Sequence, residues 1–170
     1  VKNCPYLSPL YLDFLEGYRY DPSEVHIAQE GNDLKVTVEG HWYRTILWEV
    51  PLLSIISELY YQLTNATAWT DAQVIANTRE KELLYKELGV VFAEFGTRRR
   101  HSYHVHDIVM RTLLEGYGST FIGSSNVHFA MKYKVKPIGT HAHEWFMFHA
   151  AEYSYKMANA LSLEHWVDVY

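Results

Sequence analysis

Three short stretches hold the residue types that do chemistry. The first is Phe95-Gly96-Thr97-Arg98-Arg99-Arg100-His101. Guanidinium groups are planar forks of donors that match phosphate and carboxylate oxygens, so this triplet is the best anion trap in the chain. The competing reading is a surface cluster that caps helices or pairs with Glu94 and Asp107. The second stretch is Gly123-Ser124-Ser125-Asn126, where small residues allow close backbone approach to a ligand and Asn126 can cap a helix. An ordinary strand-to-helix turn would look the same. The third is Gly139-Thr140-His141-Ala142-His143-Glu144. On an extended strand His141 and His143 would share a side and could ligate one metal. Alternatively, one histidine acts as a nucleophile or proton carrier, oriented by Glu144 or a residue elsewhere. His104 and His106 fall in a predicted helix, where a two-residue step diverges by about 200 degrees, so they should not share a metal. There is no nucleophile elbow for a serine triad.

These stretches need elements to position them. Ser8 and Pro9 predict a short helix start, Ser8 as the cap and Pro9 as the first helical residue. Alternating Val25 and Ile27, the turn Gly31-Asn32-Asp33, and alternating Leu34, Val36 and Val38 predict an antiparallel hairpin. A three-and-four apolar rhythm predicts a helix over 45–63, with Pro51 near its first turn. A second helix is predicted over 71–88, with Val74, Ile75, Leu83, Leu84 and Leu88 as its apolar stripe and Glu80 to Glu82 solvated, closed by Gly89. Short apolar strands at 90–96, 120–123 and 135–140 then alternate with helices at 102–116, 126–134 and 145–163. Repeated strand-helix units call for a parallel sheet with right-handed crossovers, whose ligand site lies beyond the carboxyl ends of the strands. The three chemical stretches are those strand tips.

The fold class expected is therefore α/β. Residues 1–44 are part of a small α/β domain with a hairpin, 45–89 a helical connection, and 90–170 the first three strand-helix units of an incomplete α/β barrel. The 170 residues fit about one domain. With 15 basic against 20 acidic residues, the net charge of −5 argues against nucleic acid held by bulk electrostatics. No apolar run approaches the roughly 18–20 residues needed to span a bilayer. A single cysteine, Cys4, builds no disulfide framework, so a cytoplasmic setting is the default. The chain starts on Val1 and ends without a stop signal, so a segment of a longer protein is expected.

The ordered set Phe95 to Arg100, Phe121 to Asn126 and Pro137 to Trp145 resembles the bacterial nicotinate phosphoribosyltransferases, as do Leu12 to Leu15 and Trp48 to Leu52. The resemblance implies transfer of phosphoribosyl from phosphoribosyl pyrophosphate to nicotinate, with ATP as co-substrate and Mg²⁺, in a likeness to enzymes that work as homodimers. It implies that His143 is transiently phosphorylated and that Thr140 contacts nicotinate. By the same likeness Phe95 stacks on the pyridine ring, Arg98 and Arg99 lie near the ribosyl pyrophosphate and the nicotinate carboxylate, and Ser125 and Asn126 line the base pocket. No role is implied for His141. The resemblance also implies that the later barrel strands are missing. Two rivals stay open: a metal-dependent barrel hydrolase using His141 and His143, and a non-catalytic binding or assembly subunit.

Overall fold

A computed structural model of the chain describes residues 7–64, 66, 69–116 and 120–169; Cys4 and Pro5 lie outside them. The chain divides into two compact units, Val1–Ile138 and Gly139–Tyr170.

The first unit opens with helix α1 (Pro9–Gly17), whose Ser8 side chain accepts from Tyr11 N–H as the sequence predicts. Strands β1 (Val25–Glu30) and β2 (Asp33–Val38) form an antiparallel hairpin, turning at Gly31 with φ 62°. A short helix α2 (Trp42–Thr45) leads into α3 (Glu49–Leu63), with Pro51 in its first turn. The next helix, α4 (Asp71–Glu87), starts at a capping box in which Thr70 and Gln73 satisfy each other's backbone N–H.

The buried face of α4 differs from the one read in the sequence. Its buried residues are Val74, Thr78 and Glu82, one residue every four, while Leu83, Leu84 and Leu88 are exposed. Apolar spacing alone misplaced this face. Glu82 fills the space that any side chain at Gly116 would need, so the contact between α4 and the end of the next helix sets the rotation.

Strand β3 (Phe92–Glu94), helix α5 (Tyr103–Glu115) and strand β4 (Phe121–Ser124) form a parallel unit, with Phe92 opposite Phe121 and Glu94 opposite Ser124. Helix α6 (Val127–Tyr133) follows, capped by Asn126. Ile108 and Met110 of α5 and Phe129 and Ala130 of α6 are buried and form the core beneath the strands. The third predicted strand shrinks to one parallel bridge, Ser124 to Pro137, made by Ser124 N–H to Lys136 O and Ile138 N–H to Ser124 O. The next donor of the ladder, Asn126 N–H, goes to the Ser124 hydroxyl instead, so the pairing stops at one bridge. This segment crosses Gly123 closely: a Cβ at Gly123, where φ is 150°, would lie 2.1 Å from Lys136 O. Only glycine fits that crossing.

The second unit is a pair of packed helices, α7 (His143–Tyr153) and α8 (Tyr155–Val169). The sequence reading joined them into one. Ser154, with φ 78° and ψ 156°, breaks the run, and its carbonyl accepts from Met157 and Ala158 to start α8. Among the described residues no helix is long and apolar enough to cross a membrane.

Candidate active site

The parallel pairing of β3 and β4 brings two of the three chemical stretches side by side. Asn126 links them: its Nδ2 donates to Thr97 Oγ1 at 3.0 Å, while its Oδ1 accepts from Phe129 N–H at 3.1 Å. One amide therefore caps α6 and fastens the arginine turn. Ser125 N–H donates to Glu94 O at 2.9 Å, continuing the sheet register into the turn.

Beneath both tips lies a buried polar cluster that the sequence reading did not single out. Glu94 is 9% exposed, His106 4% and Ser124 0%. Ser124 Oγ donates to Glu94 Oε2 at 2.6 Å and accepts from Asn126 N–H at 3.0 Å. Glu94 Oε1 accepts from Gly96 N–H and lies 2.9 Å from His106 Nε2. Burial pushes the Glu94 carboxyl up, but His106, Ser124 and Gly96 together hold it below its usual value. Glu94 ends a strand and Ser124 ends its neighbour, a signal visible once parallel pairing is assumed.

The arginines divide. Arg98 pairs with Glu49 of α3, and Arg100 reaches Glu58 at 4.0 Å while its guanidinium sits 5.4 Å from the Tyr103 ring centroid. The acidic partners are thus on α3, not Glu94 or Asp107 as the surface-cluster reading had it. Among the described residues the guanidinium of the exposed Arg99 makes no ion pair or hydrogen bond, and no aromatic ring packs on Phe95, which is 49% exposed. An unpaired guanidinium and an open aromatic face on one turn suit a flat anion. A cavity of about 320 Å³ opens beside this turn, lined by Tyr61, Trp69, Val74, Asn77, His101 and Val105 among others. None of the nominated site residues lines it, so it is not the site argued here.

Thr140 and His143 belong to the second unit, and both are exposed. His143 is the first residue of α7, and its Nε2 lies 2.8 Å from Glu144 Oε1. His141 packs edge-on against Trp166, with ring centroids 4.5 Å apart. The stretch 139–142 is irregular rather than a strand, so the alternation that would aim His141 and His143 to one side does not operate.

Comparison with known proteins then decides the family. The model of the nicotinate phosphoribosyltransferase (NAPRTase) family matches residues 90–170, and that of the NAPRTase N-terminal domain matches residues 1–57. This chain belongs to the nicotinate phosphoribosyltransferase family. It is 60% identical over 169 residues to the nicotinate phosphoribosyltransferase of Chromohalobacter salexigens, covering 99% of this chain and 43% of that protein. It is 46% identical to the Desulforapulum autotrophicum enzyme, with the same two coverages, 99% and 43%. The crystal structure of nicotinate phosphoribosyltransferase from Porphyromonas gingivalis superposes with a TM-score of 0.92 at 44% identity, over 99% of this chain and 43% of that one. The chain therefore spans less than half the length of these relatives. The mixed α/β fold expected from sequence is the fold of the family.

Proposed function

We propose that the complete protein transfers phosphoribosyl from phosphoribosyl pyrophosphate to nicotinate, giving nicotinate mononucleotide and pyrophosphate, coupled to ATP hydrolysis. The observation that carries this reading is the fastening of two strand tips so that Phe95 and Arg99 stand open on one turn. The nicotinate nitrogen attacks the anomeric carbon of the sugar, a carbon–nitrogen bond forms, and the carbon–oxygen bond to pyrophosphate breaks. Phe95 offers a face to the pyridine ring. Arg99, with Arg98 beside it, offers donors to the carboxylate or the phosphates. Ser125 and Asn126 line the base pocket, and Thr140 contacts nicotinate.

His143 takes the terminal phosphoryl of ATP, forming a nitrogen–phosphorus bond as ADP leaves. In the imidazole tautomer that keeps its proton on Nε2, facing Glu144 Oε1 at 2.8 Å, the lone pair is on Nδ1, which makes Nδ1 the nucleophile. The phosphate so formed sits at the start of an eleven-residue helix, where backbone N–H groups and the helix dipole favour negative charge. The strand tips suit phosphate better than a metal ion. The two carboxylates beside them are engaged, Glu49 by Arg98 and Glu94 by Gly96, Ser124 and His106. Mg²⁺, which prefers phosphate oxygens and waters, is therefore assigned to the substrates' phosphates, and no step is drawn through it. On this reading residues 90–170 open the catalytic barrel, after a small domain over 1–44 and a helical connection over 45–89. A cytoplasmic homodimer is the setting that it implies.

The test is synthesis of nicotinate mononucleotide by the full-length protein with and without ATP, followed by mass spectrometry. ATP should stimulate synthesis, and His143→Ala should abolish that stimulation while leaving a slow ATP-independent reaction. Intact stimulation in the variant would remove His143 from the mechanism.

A further inference from the structure

The buried cluster below the strand tips does more than fill the core. The Glu94 carboxylate uses both oxygens on the two tips at once. Oε1 takes the N–H of Gly96, where the arginine turn begins, and Oε2 takes the Ser124 hydroxyl. The Ser124 oxygen in turn takes the N–H of Asn126, the residue whose amide reaches back to Thr97. This closes a ring of hydrogen bonds through both turns. His106 reaches the ring only through Glu94, from α5 below, and its own ring packs edge-on to Phe129 at 4.6 Å. None of Glu94, Ser124 or His106 opens to a ligand, since all three are buried.

We infer that Glu94 is a positioning residue: its carboxylate fixes the arginine turn against the Ser125-Asn126 turn, with His106 Nε2 lying 2.9 Å from it on the buried side. A neutral amide at 94 keeps one acceptor oxygen for Gly96 N–H; its NH2 arm can only donate, so the Ser124 hydroxyl must turn its own proton elsewhere and the charge-assisted bonds to both turns are lost. The geometry of Phe95, Arg99 and Asn126 relative to one another should then loosen without loss of the fold.

Glu82 supplies the control, as a buried carboxylate of α4 outside both tips. The comparison is Glu94→Gln against Glu82→Gln in the full-length protein, below the melting point of both. In Glu94→Gln, residue-resolved hydrogen–deuterium exchange at Gly96 and Asn126 should accelerate by about tenfold or more, and in Glu82→Gln it should not. The kinetic arm rests on the proposed transferase reading: KM for nicotinate should rise about tenfold in Glu94→Gln, with kcat changing less, and hold steady in Glu82→Gln. Unchanged exchange at the two amides, or equal effects from the two variants, would overturn the inference. Absence of transferase activity in the unaltered protein would instead sink the proposed function, and the exchange arm would still decide the positioning role. Should Glu94→Gln fail to fold, Ser124→Ala removes one link of the ring and is judged by the same two readouts.

Discussion

At the scale of single residues, the arginine triplet is three different groups. Arg98 and Arg100 spend their charge on α3, through Glu49 and Glu58, whereas Arg99 is left exposed. An unpaired guanidinium gives up only its water on meeting a substrate anion, while a paired one must also give up its carboxylate. Arg99→Ala in the full-length protein should therefore lower kcat/KM by about tenfold, roughly 1.4 kcal/mol, with little change in melting temperature. Arg98→Ala should cost stability as well, because Glu49 is left without that partner. Steady-state kinetics paired with thermal unfolding will separate the two. The triplet was legible in the sequence. The division of labour was not, because it depends on which carboxylates α3 presents.

At the scale of elements, caps and crossings decided what periodicity could not. Ser8, Asn126 and Ser102 each accept a backbone N–H at a helix start, and the first two were read correctly from residue type. The buried face of α4 and the break at Ser154 were missed, because both depend on what the helix meets. Gly123 shows the same dependence at a strand. Gly123→Ala should destabilise by about 2–4 kcal/mol, since the new methyl would overlap Lys136 O and its φ is unfavourable. Gly17→Ala, with open space around it at the end of α1, should stay within about 0.5 kcal/mol of the parent. Thermal melts of the two variants test the difference.

At the scale of the whole molecule, the pH dependence of stability carries the signature of Glu94. Its carboxyl is held below the usual range in the folded state, so the folded state binds fewer protons than the unfolded chain in acid. Stability from this group is fully present above the unfolded value of about 4.3 and is lost as pH falls through the folded pKa. Denaturant titrations below about pH 4.5 should therefore show a steeper loss in the parent than in Glu94→Gln. Equal slopes would mean that the carboxylate contributes no such linkage. Many large apolar side chains stay exposed here, including Leu83, Leu88, Tyr155 and Val167.

Residue types and their spacing were enough to determine the hairpin, the first two strand-helix units, the caps at Ser8 and Asn126, the three chemical stretches and the family. Those signals are local, since propensity, capping and motif order act within a few residues. Folding alone decided that Glu94 and Ser124, thirty residues apart in the chain, share one proton bond. It also decided that Arg99 is the arginine left open and that Gly123 must bear no side chain. Each of these rests on a contact between distant segments, and the energy of such a contact is set by geometry that no single stretch of sequence carries.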